Sequence, residues 1–165
     1  MTGTALLFLD VDGPLIPFGG AGYRTYPVAA GGNPLLGRLD PAHGVWLAGL
    51  PCQVVWATTW EEEANAVLGP LLGLPALAVV RWPEPSELDE EDERAGLHWK
   101  TRAVVEWAAG RPFVWVDDET TAADQAWVAG HHAGAALVHR VDAGVGLTAA
   151  DYRVVESWLG EYGGV

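Results

Sequence analysis

The chain is predicted to fold in the α/β class, as three layers in which a mainly parallel, five-stranded sheet is covered by helices on both faces. Three features lead there: five short apolar runs, stretches of helical spacing between them, and paired capping residues where those stretches begin. An apolar run without alternation suits a strand buried on both faces, the condition of strands in a parallel sheet.

Residues 5–9 (Ala-Leu-Leu-Phe-Leu) are the first such run, and acids follow it. Asp40 before Pro41 places a capping residue ahead of a proline at the first helical position, which predicts a helix over residues 42–50. A strand over residues 53–57 comes next. Thr59 with Glu62 three residues on has capping-box spacing and predicts a helix running through Leu68. Residues 77–80 supply a third strand. Residues 84–93 hold seven acids, with Pro83 and Pro85 at the start, and residues 83–96 read as a solvated acidic loop. Beyond Trp99, apolar Ala103, Val104, Trp107 and Ala108 recur at helical spacing until Gly110 and Pro112 stop the helix. Strands over residues 113–116 and 136–141 complete the set. Thr121 with Asp124, and Thr148 with Asp151, repeat the capping-box spacing ahead of the last two helices. Residues 14–39, rich in glycine and proline, fit no regular element and read as a long ordered loop or small flap, a length that usually has a purpose.

The 165 residues, half of them hydrophobic, suffice for a buried core, and residues 1–165 are expected to form one domain. The formal charge of −13, with no basic block, repels polyanions, so a nucleic-acid partner is disfavoured. Cys52, the one cysteine, lies in an apolar run and reads as a small buried hydrophobe, compatible with a reducing compartment. No apolar stretch approaches the roughly 20 residues of a membrane span, and the N-terminus lacks the basic flank of a signal peptide. A membrane partner is therefore not expected, and a cytoplasmic location is. Among the five histidines, His131 and His132 fall at a helix end, and no ligand spacing joins them to His43, His98 or His139.

In an open parallel sheet, ligands bind beyond the carboxyl ends of the strands. That rule selects Asp10-Val11-Asp12-Gly13, Thr58-Thr59 and Asp117-Asp118-Glu119, together with Lys100, the only lysine, at the start of the helix before the fourth strand. Carboxylates gathered at one mouth repel unless a cation sits among them. Hard oxygen ligands without a histidine or thiolate cluster favour Mg²⁺. A lysine and a threonine hydroxyl can then hold phosphate oxygens, so the constellation reads as phosphoryl transfer.

The same residues carry a family resemblance. Leu6-Leu7-Phe8-Leu9-Asp10-Val11-Asp12-Gly13 resembles the first signature of haloacid dehalogenase (HAD) phosphatases, an apolar strand followed by DxDG. Val54 to Thr58 is similar to the second signature, Lys100 to the third, and Val114 to Asp118 to the fourth. The resemblance implies a Rossmann-like HAD fold and assigns roles. Asp10 would attack phosphorus and become an aspartyl-phosphate. Asp12 would protonate the leaving oxygen and later activate water, while its main-chain carbonyl binds the metal. Thr58 and Lys100 would hold the transferring group. Asp10, Asp12 and Asp118 would bind Mg²⁺, with Asp117 assisting directly or through water.

Residues 13–40 and 61–99 are too short to hold a large cap domain, so the enzyme resembles capless members. The stretches Trp56-Ala57-Thr58-Thr59-Trp60-Glu61, His98-Trp99-Lys100-Thr101-Arg102 and Trp115-Val116-Asp117-Asp118-Glu119 resemble small actinobacterial HAD-domain proteins grouped with the HAD modules of Swiss Army Knife RNA-repair proteins. That grouping implies a nucleic-acid end as substrate, and the acidic composition argues instead for a small or nucleotide-like phosphate ester. Thr59, Trp60, Trp99, Tyr23 and Arg24 are further candidates for substrate contact, with capping as the competing role for Thr59 and packing for the tryptophans. Asp124 is either an additional acid beside the metal or a helix cap with Thr121. Two other readings stay open: a non-catalytic interaction module of the same fold, and phosphoryl transfer to an acceptor other than water.

Overall fold

A computed structural model describes residues 3–28 and 32–164. Residues 29–31 of the glycine- and proline-rich segment lie outside the described residues. Five parallel strands, β1 (Leu6–Leu9), β2 (Gln53–Trp56), β3 (Ala78–Val79), β4 (Phe113–Asp117) and β5 (Ala136–Arg140), form one sheet in the order β3-β2-β1-β4-β5. Around it lie α1 (Ala42–Ala48), α2 (Gly69–Leu72), α3 (Leu88–Arg94), α4 (Thr101–Ala108), α5 (Ala122–His131) and α6 (Ala149–Tyr162).

Successive strand residues point to opposite faces of a sheet, so an unbroken apolar run feeds two cores at once. Leu7 and Leu9 join Val54, Trp56, Val114 and Val116 on one face, against Leu47 of α1, Leu72 of α2 and Tyr152, Val155 and Leu159 of α6. Leu6 and Phe8 join Val55, Phe113 and Trp115 on the other, against Val104 and Ala108 of α4 and Val128 of α5. Cys52 packs at the edge of the first core, and burial pushes its thiol up to about 12, which leaves it unreactive.

Two local devices set the first layer. Gly44 of α1 approaches α2 so closely that a Cβ would overlap the carbonyl of Leu72. Asn65 ties three elements: its side-chain oxygen accepts from the Trp56 indole at 2.9 Å and from the Leu77 amide at 2.8 Å, and its amide group donates to the Leu77 carbonyl. Asn65 sits in a π-helical turn, Ala64–Leu68, that runs into α2, where the Gly69 amide reaches back five residues to the Ala64 carbonyl. Pro70 follows directly and has no amide hydrogen to continue the regular ladder.

Two expectations are corrected. Residues 83–96 are not simply a loop, because Leu88–Arg94 is helical. Ser86 starts it, its hydroxyl accepting from the Leu88 amide, three acids occupy the first turn, and Arg94 lies in the last, so the charges follow the helix dipole. Asp92 is held on this helix by a two-pronged pair to Arg102 of α4, at 2.7 and 2.6 Å. The capping box expected of Thr59 and Glu62 does not form. Thr59 is exposed, and it is Thr58 whose hydroxyl accepts from the Trp60 amide. The boxes at Thr121–Asp124 and Thr148–Asp151 both close as expected. No helix among the described residues is long and apolar enough to cross a membrane.

From β1 the chain passes to β2 on one side and later returns to β4 on the other. A crevice therefore opens at the carboxyl ends of β1 and β4, the place where such sheets bind ligands.

Candidate active site

Asp10 follows the last residue of β1, Asp117 ends β4 and Asp118 follows it. The sheet register sets Leu9 beside Val116, so these acids converge at the crevice. All three are buried, and one carboxylate oxygen from each lies within 4.8 Å of the others. Lys100 enters from the start of α4. Its Nζ stands 3.1 Å from Asp10 Oδ1 and 2.9 Å from Asp117 Oδ2, and it donates to the Ala57 carbonyl at 3.0 Å. Those three directions use all the protons of an ammonium group.

Three carboxylates against one ammonium leave an excess of negative charge out of water. Burial first, and then Asp117, push Asp10 up to about 8, with Lys100 working in the opposite direction. Burial and the neighbouring Asp117 also raise Asp118. Burial works to lower Lys100, but Asp10 and Asp117 together outweigh it and hold the ammonium above its usual range. Asp117 is committed on both oxygens, since Oδ1 accepts from the Glu119 amide at 3.0 Å. The donor set, oxygen only and in charge excess, fits a hard divalent cation held chiefly by Asp10 and Asp118. Gly13 belongs to the same arrangement: its φ is +104°, and a Cβ there would meet Asp118 Cγ at 2.6 Å. Only glycine lets the turn after Asp12 pass this close to the carboxylate.

The carboxylate of Asp12 stands outside the cluster, where its Oδ2 accepts from the Trp60 indole at 3.2 Å. Thr58 is fully buried. Its carbonyl accepts from the Trp82 indole at 3.0 Å, and its hydroxyl, already an acceptor for the Trp60 amide, keeps its own proton to donate. Trp82 and Trp99 meet edge to face with ring centroids 4.9 Å apart, and both rings lie near Lys100 Nζ, at 5.7 and 5.5 Å. Trp99 remains half exposed, so one aromatic face is left for a ligand.

Asp124 is a cap and more. One oxygen accepts from the Thr121 amide, and the other accepts from the His98 amide and the Thr101 hydroxyl, both at 2.7 Å. Lys100 sits between those last two residues. The ring of His98 adds a further hold, accepting from the Lys100 amide at 3.1 Å while its Nε2 faces Glu119 at 3.4 Å. Fully buried and with its oxygens engaged in this way, Asp124 anchors the start of α4 instead of joining the carboxylate cluster.

The structure thus gathers Asp10, Asp117, Asp118 and Lys100, and sets Asp12, Thr58, Trp60 and Trp99 around them. Tyr23 and Arg24 lie elsewhere, in a pocket with Tyr26 and Arg38. Thr59 lines a separate shallow groove with Trp60. Trp82, His98 and the second duty of Asp124 were not identified from the sequence. Trp82 follows the end of β3 by three residues, so the strand-end rule that selected the acids would also have found it.

No match was found among curated proteins or among solved structures. A family model described as the HAD domain in Swiss Army Knife RNA repair proteins does match, over residues 6–152, a span reaching from the start of β1 into α6 and holding every residue of the site. The parallel sheet, the crevice between β1 and β4 and this match agree, and the chain belongs to that family of HAD domains.

Proposed function

We propose that the protein is a Mg²⁺-dependent phosphohydrolase that removes a phosphate monoester through an aspartyl-phosphate on Asp10. The observation that carries this reading is the contact of Lys100 with both Asp10 and Asp117 beside a buried set of three carboxylates. This lysine bridges the proposed nucleophile and the acid that ends the adjacent strand.

Bound between Asp10 and Asp118, Mg²⁺ would offset negative charge, both in the resting site and on the phosphoryl oxygens. The chain supplies the rest. One oxygen of Asp10 attacks phosphorus and the bond to the ester oxygen breaks. Asp12, steadied by the Trp60 indole, gives its proton to that leaving oxygen. A water then attacks the phosphorus of the aspartyl-phosphate, Asp12 takes its proton, and the bond to Asp10 breaks to free phosphate and restore both acids. Thr58 donates its hydroxyl proton to the transferring group, and Lys100 neutralises charge that builds on it.

For the substrate, Trp99 and Trp82 favour an ester with a planar ring, such as a nucleotide or a nucleic-acid end. The family's place in RNA repair proteins points the same way. The test is release of phosphate from p-nitrophenyl phosphate with and without Mg²⁺. Turnover is expected only with the metal, and Asp10→Asn should lower it by at least about a thousandfold. Equal turnover in that variant would end the reading. We further propose that the protein acts in the cytoplasm.

A further inference from the structure

Against a formal charge of −13, two arginines of the glycine- and proline-rich segment stand apart. Arg81, Arg94 and Arg102 are each paired with an acid, while Arg111 and Arg140 donate to the carbonyls of Thr4 and Asp118. Arg24, Arg38 and the exposed Arg153 have no ion pair among the described residues; of these, Arg24 and Arg38 line one pocket of about 190 Å³, where Arg38 also donates to the Pro17 carbonyl at 3.1 Å. Each lies over a tyrosine: Arg38 at 4.6 Å from the Tyr23 ring and Arg24 at 5.3 Å from the Tyr26 ring. These contacts hold two guanidinium groups against aromatic faces without consuming their charge. Among the described residues Asp40 is the only acid in the wall, and its carboxylate is engaged, accepting from the Ala42 amide at 2.9 Å and hydrogen-bonding Tyr26.

The pocket adjoins the proposed active site. Its wall includes Pro14 and Gly146, and a Cβ on Gly146 would meet the carbonyls of Pro14 and Gly13 at 3.1 and 3.4 Å. Gly13 in turn presses on Asp118. One turn of chain, residues 13–14, therefore separates the carboxylates from the arginines. The acidic helix α3 is tied to α4, on the opposite face of the sheet, by the Asp92–Arg102 pair.

We propose that this pocket is a second anion subsite, which takes a phosphate or phosphodiester group of the substrate beyond the one delivered to Asp10. Guanidinium forks match the oxygens of such groups, and the tyrosine faces suit the sugar and base between two phosphates. The place of the subsite in catalysis rests on the phosphohydrolase reading, but its capacity to bind does not.

The experiment compares the full chain with an Arg24→Gln, Arg38→Gln double variant, checking by thermal melting that both are folded. Calorimetric titration with a dinucleoside monophosphate, which carries a diester and no monoester, should show binding that the double variant loses by about tenfold or more. In turnover, KM for adenosine 3′,5′-bisphosphate or for a 5′-phosphorylated dinucleotide should rise about tenfold at unchanged kcat, while p-nitrophenyl phosphate stays within about twofold. A response confined to the bisphosphate assigns the subsite to a terminal phosphate, and one confined to the dinucleotide assigns it to a diester. The proposal is overturned if neither a response in KM nor a diester signal is found, or if p-nitrophenyl phosphate falls in parallel with the larger substrates. Should wild-type protein turn over no ester yet bind the diester through these arginines, the phosphohydrolase reading fails and the subsite stands.

Discussion

Thr121–Asp124 and Thr148–Asp151 begin two helices with the same residues at the same spacing, and each closes the same reciprocal box. Their surroundings differ. Asp151 adds one partner, the ring of His139 at 2.8 Å, and its side chain keeps 19% of its exposure. Asp124 keeps none, and adds the His98 amide and the Thr101 hydroxyl, which precede the fourth strand in sequence and flank Lys100. One cap only begins a helix; the other also fastens the segment that carries Lys100 to the start of α5. The shared motif predicts a helix start, and its burial decides what else hangs on it.

The widest separation should appear in metal dependence. Asp118→Asn removes a proposed ligand, so the Mg²⁺ concentration for half-maximal phosphate release should rise about a hundredfold, whereas Asp124→Asn should leave it within about threefold. A large shift in the second variant would make Asp124 a metal residue after all. Next in size is stability. Asp124→Ala deletes a cap and strands a buried amide and hydroxyl, a loss of about 3 kcal/mol in urea unfolding, and phosphate release should drop by roughly tenfold or more as Lys100 loosens. Asp151→Ala should cost about 1 kcal/mol and leave turnover unchanged. Equal losses would erase the distinction between the two caps.

The smallest effect is in pH. Burial raises Asp151, but the hydrogen bonds from His139 and Thr148 outweigh it and hold the carboxyl below its ordinary range. A depressed acid stabilises the fold above its unfolded value, about 3.9, and loses that contribution as pH falls through the lower folded value. Unfolding free energy followed from pH 5 to pH 2 should therefore fall more steeply in wild type than in Asp151→Asn.

Much of this was legible in the sequence because it is local. Apolar runs marked all five strands, and their ends delivered Asp10, Thr58, Asp117 and Asp118 to one mouth. What was missed depends on contacts distant in sequence. The seven-acid stretch reads as solvated until Asp92 is seen against Arg102. Thr58 and Thr59 are interchangeable on paper, and only the path of the chain leaving β2 chooses which hydroxyl caps and which faces water. The partners of Asp124 lie more than 20 residues away, beyond the reach of any spacing rule.

Lys100 carries one further consequence. As the only lysine it gives a lysine-specific protease a single cleavage position, between Lys100 and Thr101, and its side chain is 5% exposed. A cut there would divide the chain between Asp10 and Thr58 on one fragment and the Asp117–Asp118 pair on the other. Cleavage must wait for the site to open, so its rate at low protease concentration measures the free energy of opening where the chemistry is proposed to occur. Magnesium, or a substrate bound across the two fragments, would slow that rate in proportion to how firmly it holds them together.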